Sequence, residues 1–224
     1  MREDFKPTKE EIYAFFQTVQ TGVITDALTR LGLEGWMDDV YPMRPEERLF
    51  GKAFTVKLSP VRSKDEPTYT FYDLYDKFEE GDIVVVGGDE TKCSLSGENL
   101  AHLIMYAGAG GMVLNGRCRD YGEIRDLPMP VFCKGPTVRL RTKYQKFTDY
   151  NVKINCAGAQ VWPGDYILGD IDGVLVIPAD RIVDVMYQAQ GIQEMEAEME
   201  AAIKRRAPRE ELKAIIARKK VIRE

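Results

Sequence analysis

The sequence predicts a mixed α/β fold, and three observations carry that reading. Strand-like and helix-like segments do not alternate strictly, which disfavours a purely parallel, doubly wound sheet. Residues 152–178 are broken by glycine and proline yet rich in valine and isoleucine, as expected for short strands joined by tight turns. Both ends of the chain instead place apolar residues at helical spacing. With 224 residues and no long linker, one domain with a sizeable core is expected.

In chain order, residues 8–20 and 22–33 read as two helices separated near Thr21 and Gly22. Residues 54–58 read as a strand, 71–78 as a helix, and 83–86 as a buried strand ending in Gly87 and Gly88. Ser96 is the expected N-cap of a helix beginning near Gly97, because Leu100, Leu103, Ile104 and Ala107 follow at helical spacing. Gly108, Gly110 and Gly111 end that helix, residues 112–114 form a short buried strand, and Asn115 and Gly116 turn the chain. Residues 131–133 make a further strand. A long helix is expected over about 179–206, with Ile192, Met195, Met199 and Ile203 as its apolar stripe. Pro208 starts the last helix, over 207–224.

Composition is that of an ordinary globular protein, 44% hydrophobic and 30% charged. The amino end, MREDFKPTKEE, is too charged for a secretory signal, and no apolar run approaches membrane-spanning length. A cytoplasmic protein with no membrane partner is the expectation. Cys93, Cys118, Cys133 and Cys156 are widely separated, contain no CxxC pair and accompany a single histidine, which argues against a zinc site or a disulfide scaffold. Four reduced, mostly buried thiols are expected. Cys118 stands between Arg117 and Arg119, whose charges are expected to lower its pKa, although no base for a nucleophilic role is evident. The net charge of −5 hides an asymmetry: residues 204–224 carry nine Lys/Arg and three Glu, a net of +6, leaving −11 on residues 1–203. No aromatic residue lies in that tail to stack bases, so it reads as an amphipathic helix rather than a nucleic-acid arm, with Leu212, Ile215, Ile216 and Lys219 dividing a packed from a solvated face.

The chemistry concentrates in residues 97–123, GENLAHLIMYAGAGGMVLNGRCRDYGE. The first N–H groups of a helix lack internal partners and sit at the positive end of its dipole, so the stretch after Gly97 is a ready anion site. Glu98 lies at that helix start, while Arg119, Asp120 and Glu123 follow the strand at 112–114. Where helix start and strand exit lie close together, one pocket holds free N–H groups, a guanidinium and up to three carboxylates. That set suits a divalent metal plus an organic acid. His102 falls one turn after Glu98 and is expected to pair with it on the surface. The glycines at 108–111 end a helix and precede a strand, the reverse of a dinucleotide fingerprint, and Asp170 and Asp172 read as turn chemistry outside the site.

The spacing acid-x20-Arg-Asp-x2-acid, met without a gap by Glu98, Arg119, Asp120 and Glu123, resembles the active-site signature of the metal-dependent 4-hydroxy-4-methyl-2-oxoglutarate aldolases of the RraA-like superfamily. GVITDALTRLG, GKAFTV, PVFCKG and CAGAQVWPGDYILGDIDGVLVIPAD are similar to further family blocks in family order, over roughly residues 20–200. The resemblance implies a swivelling β/β/α sandwich assembled as a homotrimer or as a hexamer, with active sites shared between subunits. It implies a lyase that cleaves a 4-hydroxy-2-oxo acid to pyruvate and decarboxylates oxaloacetate. Asp120 would bind Mg²⁺ or Mn²⁺ directly, and Arg119 would grip carboxylate or enolate oxygens. The backbone amides of Asn99 and Leu100 would hold the substrate carboxylate, Asn99 standing where most relatives have leucine. Asp26 would reach a neighbour's site and, with Glu98, orient the water that acts as base. Glu98, Glu123 and a glutamate from the long helix of the neighbour would meet the metal through water; Glu194, Glu196, Glu198 and Glu200 are available, and Glu196 is taken as the candidate. The contrasting reading is a non-catalytic regulator of the RraA type that binds a ribonuclease or another protein. Retention of the acids Glu98, Asp120 and Glu123 favours the enzyme.

Overall fold

The computed structural model describes residues 4–63 and 65–222. Its contacts divide the chain into two units: the two ends, up to Gly35 and from Asp180 onward, and the stretch between them, Trp36–Ala179. The first end holds α1 (Lys9–Phe16) and α2 (Thr21–Arg30). Thr8 and Glu11 close a reciprocal capping box at the start of α1, each side chain accepting the other's backbone N–H. The helix expected to reach residue 20 stops at Phe16, and Thr18 turns its hydroxyl to the carbonyls of Ala14 and Phe15.

In the central unit come β1 (Trp36–Met37), β2 (Tyr41–Pro42), β3 (Leu49–Pro60), α3 (Phe71–Leu74), β4 (Ile83–Gly88), β5 (Ser94–Ser96) and α4 (Glu98–Tyr106). They are followed by β6 (Gly111–Leu114), β7 (Arg117–Cys118), α5 (Tyr121–Arg125), β8 (Val131–Cys133) and β9 (Gln145–Tyr150). The unit closes with β10 (Ile154–Cys156), β11 (Ala159–Val161), β12 (Tyr166–Asp170) and β13 (Gly173–Ile177), the short strands expected over 152–178.

The main sheet runs β1-β13-β12-β3-β4-β6-β8-β2, with β9 added to β3. β3 is its hub. Residues Leu49 to Lys52 pair antiparallel with β12, and Ala53 to Leu58 pair parallel with β4. A side chain at Gly51 would place its Cβ 2.5 Å from the Gly81 carbonyl oxygen, so glycine is required where the two backbones meet. That glycine and Lys52 break the apolar run, which is why sequence periodicity located only residues 54–58 of this strand.

Alternation along β4 assigns the two faces. Val84 and Val86 join Phe54, Val56, Phe71, Leu74, Ala101 and Ile104 on the side of α3 and α4. Ile83 and Val85 join Val113, Phe132, Ile154, Val161 and Ile167 on the side of the β10–β11 hairpin. A sheet buried on both faces by helices on one side and strands on the other is the β/β/α sandwich that the resemblance implied. Each fully buried Val or Ile contributes roughly 1.5–3 kcal/mol, so the β4 register is strongly determined.

Two expectations are corrected here, and several short elements were not foreseen. The helix expected over 71–78 ends at Leu74, and Phe78 instead sets its ring edge-on against Phe54. Ser96 is a strand residue and not an N-cap; Gly97 caps α4 by backbone alone, while the Ser96 hydroxyl donates to the Gly97 carbonyl. The strands at β1, β2, β5 and β7 span two or three residues each and α5 only five, too short to leave a periodic signal.

The second end supplies α6 (Ile182–Lys204) and α7 (Arg209–Ala217), with Pro208 at the N-cap of α7 as expected. Helices α1 and α2 pack along α6, which buries Val185, Met186, Ala189, Ile192 and Met195. Ile203, expected in the apolar stripe, is 57% exposed; Ala202 takes its place against Ile215. The turn after α6 explains the shift: Arg206 adopts a left-handed conformation and the Ala207 N–H donates to the Ala202 carbonyl, folding α7 back over the small residue. Ile216 accordingly lies half-exposed rather than on the packed face. Residues 223–224 of the basic tail lie outside the described residues. No helix among the described residues is long and apolar enough to cross a membrane.

Candidate active site

β5 and β7 pair in parallel, Ser94 opposite Arg117 and Ser96 opposite Cys118. β5 runs into α4 and β7 runs into Arg119 and Asp120, so this small ladder brings together the two ends of the 97–123 segment. Proximity comes from β7, not directly from the strand β6 as the spacing suggested. The Arg119 N–H is shared between the Ser96 carbonyl and the Ser94 hydroxyl, at 3.1 Å each, and that hydroxyl donates in turn to Ser96 at 2.7 Å. From the sequence Ser94 was not singled out and Ser96 was read only as an N-cap; a buried three-residue strand leaves no periodic signal of its own.

Asp120 adopts φ 50°, ψ 43°, a left-handed conformation that aspartate tolerates better than most residues but that still costs about 1 kcal/mol. It stands at the N-cap of α5 without capping it. Its Oδ2 instead accepts the Glu98 N–H at the start of α4, at 3.2 Å, and lies 3.6 Å from Arg119 Nε. Gly97 makes this possible: a Cβ there would lie 2.7 Å from Asp120 Oδ2 and 2.9 Å from Arg119 Nε. Of the two amides expected to bind a carboxylate, that of Asn99 makes no hydrogen bond among the described residues, whereas that of Leu100 donates to the Gly97 carbonyl at 3.1 Å.

Beside this motif a cleft of roughly 550 Å³ is lined by Gly97, Leu100, Arg119, Arg141, Lys143 and Lys146, with no acidic side chain among the described residues of its wall. The Arg141 guanidinium lies over the Phe147 ring, 4.3 Å from its centroid, and burial lowers its pKa. No carboxylate or carbonyl accepts from it among the described residues. Arg141, Lys143 and Lys146 were missed in the sequence, where only the alternation of Arg139, Arg141 and Lys143 in RLRTK offered a hint.

A sequence profile of the RraA-like family, described as Aldolase/RraA, matches residues 21–176. The chain belongs to the RraA-like family. A Halalkalibacterium halodurans protein provisionally named 4-hydroxy-4-methyl-2-oxoglutarate aldolase is 32% identical over 190 residues, covering 84% of this chain and 86% of that one. Protein DlpA of Legionella pneumophila is 27% identical over 214 residues, 91% of this chain; the chain spans 35% of that longer relative. A Streptomyces coelicolor protein described as an unusual member of the RNase ES inhibitor RraA family shares the fold, with a TM-score of 0.76 at 23% identity, over 88% of this chain and 99% of the other.

Among the described residues no three His, Cys, Asp or Glu side chains cluster into a cage. Asp120 is 42% exposed at its side chain, and its Oδ1 accepts no hydrogen bond from a described residue. One hard oxygen open to solvent fits a cation that takes its remaining ligands from water and substrate. Glu123 is exposed on α5.

Asp26 and Glu196 belong to the unit formed by the chain ends. There the Lys219 ammonium lies 2.5 Å from Asp26 Oδ2 and 3.9 Å from Glu196 Oε1. Arg30 holds Lys219 in place by donating to the carbonyls of Lys219 and Arg218, at 2.6 and 3.1 Å. Glu198 pairs with Arg218 and Glu200 with Lys204, so of these three glutamates Glu196 is the one that shares a partner with Asp26.

Two further expectations are corrected. His102 lies against the Tyr106 ring, 5.9 Å between centroids, and makes no ion pair with Glu98 among the described residues. The Cys118 pKa is raised, not lowered: the neighbouring Cys133 thiol and complete burial push it up. All four cysteines are free and buried, as expected. Asp170 accepts the Asp172 N–H at 3.0 Å, in keeping with turn chemistry.

Proposed function

We propose that this RraA-like protein is a divalent-metal-dependent lyase that cleaves a 4-hydroxy-2-oxo acid to pyruvate and decarboxylates oxaloacetate. The observation that carries the reading is the β5–β7 ladder, which holds the Asp120 carboxylate and the Arg119 guanidinium against the start of α4 beside an acid-free cationic cleft. Bound by Asp120, with Glu98, Glu123 and, from a neighbouring subunit, Glu196 acting through water, Mg²⁺ or Mn²⁺ would supply Lewis-acid polarisation of the 2-oxo group. The Asn99 N–H and the positive end of α4 bind the substrate carboxylate. Water oriented by Asp26 and Glu98 takes the proton of the C4 hydroxyl; the C3–C4 bond breaks, and its electron pair stays on C3 as pyruvate enolate. The Arg119 fork donates to the charge that develops on the enolate oxygen. Protonation at C3 gives pyruvate. Loss of CO₂ from oxaloacetate leaves the same enolate. Arg141, desolvated and without an acceptor, takes a second anionic group on the substrate; a hydrogen bond to such a charged group contributes about 1.5–3 kcal/mol.

The test is pyruvate release across a panel of 4-hydroxy-2-oxo acids and oxaloacetate. Activity is expected to vanish on chelation and to return with Mg²⁺ or Mn²⁺. Full turnover in excess chelator rejects the metal, and no turnover with any substrate turns the reading to a protein-binding regulator.

Assembly as a homotrimer or hexamer with shared sites is part of the proposal, Asp26 being supplied by a neighbouring subunit. Asp26→Ala and Asp120→Ala oligomers are each expected to be nearly inactive, and mixing them under exchange conditions is expected to restore activity where an intact Asp120 meets an intact Asp26. Mixed oligomers verified by mass that stay inactive refute the sharing.

A further inference from the structure

The cleft beside Asp120 holds more positive charge than the carboxylates of a 2-oxo acid call for. Arg119 already lies 3.6 Å from Asp120, but Arg141, Lys143 and Lys146 meet no carboxylate among the described residues. Arg141 instead covers the Phe147 ring, and the Lys143 ammonium lies 4.9 Å from the centroid of Tyr144.

The chain holds these cations in place. On β5 the Ser94 N–H donates to the Arg139 carbonyl at 2.8 Å, and the Val61 N–H donates to the Tyr144 carbonyl at 2.7 Å. Between those two ties the Gln145 N–H closes a turn onto the Thr142 carbonyl at 3.2 Å. Lys146 follows on β9, paired with Ser59 of β3. The Ser94 hydroxyl also accepts the Arg119 N–H, so one residue of β5 fixes the cationic stretch relative to the reacting motif.

We infer that this cleft is a subsite for a phosphate monoester, and that the 4-hydroxy-2-oxo acid carries a terminal phosphate bound by Arg141, Lys143 and Lys146. The substrate assignment rests on the lyase proposed above; the phosphate subsite does not. A carboxylate spreads one charge over two oxygens, which a single guanidinium fork satisfies. A phosphate monoester carries close to two charges on three terminal oxygens near neutral pH, enough to meet one fork and two ammonium groups together. The cleft, at roughly 550 Å³, is of the size that small ligands occupy. No aromatic ring lines it among the described residues, so it lacks the stacking platforms that a single-stranded nucleic acid uses. Cleavage leaves the phosphate intact. The C3–C4 bond breaks, the C4 hydroxyl gives its proton to the water base, and its oxygen becomes the carbonyl of a phosphorylated aldehyde. C3 takes up a proton, and pyruvate leaves.

Binding is measured first, by titration calorimetry on the metal-free, full-length protein. The probes are racemic glycerol 1-phosphate, which has the phosphate without a 2-oxo group, and glycerate, which has a carboxylate in its place. Glycerol 1-phosphate is expected to bind saturably, to be displaced by inorganic phosphate, and to bind about tenfold or more tighter than glycerate. Arg141→Met and Lys146→Met are each expected to weaken it about 10- to 100-fold, the loss of a hydrogen bond to a charged group. Methionine keeps an apolar stem against Phe147, and Lys146→Met tests the subsite away from that ring. Turnover of 4,5-dihydroxy-2-oxo-6-phosphooxyhexanoate, as mixed C4 epimers with Mg²⁺, is then compared with its dephosphorylated counterpart. The ratio of kcat/KM is expected to favour the phosphate ester about 100-fold and to collapse in Arg141→Met through KM.

Glycerate binding as tightly as glycerol 1-phosphate, or variants that bind it like the wild type, overturns the subsite. Equal turnover of the two acids overturns the phosphorylated substrate. Protein that binds glycerol 1-phosphate selectively yet releases pyruvate from no substrate upholds the subsite and counts against the lyase alone.

Discussion

Gly97→Ala is expected to lower kcat/KM for pyruvate release roughly 10²-fold, the scale of a 1 Å misplacement in a reacting site, while the protein stays folded. The backbone at Gly97, φ −131° and ψ 178°, is extended and open to alanine. The added Cβ would meet Asp120 Oδ2 at 2.7 Å and Arg119 Nε at 2.9 Å, and both atoms are far ends of half-exposed side chains. Those ends can move aside cheaply, so stability changes little, by about 1 kcal/mol with the altered N-cap. Their displacement nonetheless removes the carboxylate and guanidinium from the start of α4, where the proposed chemistry needs them. Thermal unfolding and steady-state kinetics on the same preparation separate the two effects. A variant with unchanged kcat/KM shows that the close approach over Gly97 is not what places the catalytic groups.

The second large effect divides labour within the motif. Arg119→Lys keeps the charge but loses the planar fork, and kcat is expected to fall about 10²–10³-fold with little change in KM. Asp120→Asn keeps the shape and tolerates the left-handed backbone, but it removes the ligand charge, so the Mn²⁺ concentration needed for half-maximal activity is expected to rise steeply. Near wild-type kcat/KM in Arg119→Lys would sink the enolate-clamp role. An unchanged Mn²⁺ requirement in Asp120→Asn would remove Asp120 as the ligand.

Several features were legible because they repeat along the chain. The unbroken apolar run of β4, the apolar spacing of α4, the proline at the start of α7 and the glycines that end α4 each act over a few neighbouring residues, and each element forms where that local chemistry places it. The one long strand was read short because Gly51 and Lys52 serve a neighbour far away in sequence rather than the strand itself. α6 kept its length but lost Ile203 to solvent, because the fold-back of α7 onto Ala202 sets which face is covered.

The sequence by itself determined the family, the mixed α/β class and the identity of the motif residues Glu98, Arg119, Asp120 and Glu123. Residue type and spacing carry that information without reference to any contact. Tertiary structure alone decided how the motif is used. The parallel pairing of β5 with β7 turns Asp120 toward α4 instead of its own helix, and Arg141, Lys143 and Lys146 line the cleft beside it. These are meetings of groups tens of residues apart, held by strands too short to announce themselves and by a backbone conformation at Asp120 that no local preference requires. Spacing specifies which side chains are available; only closing the chain on itself specifies which of them share a pocket.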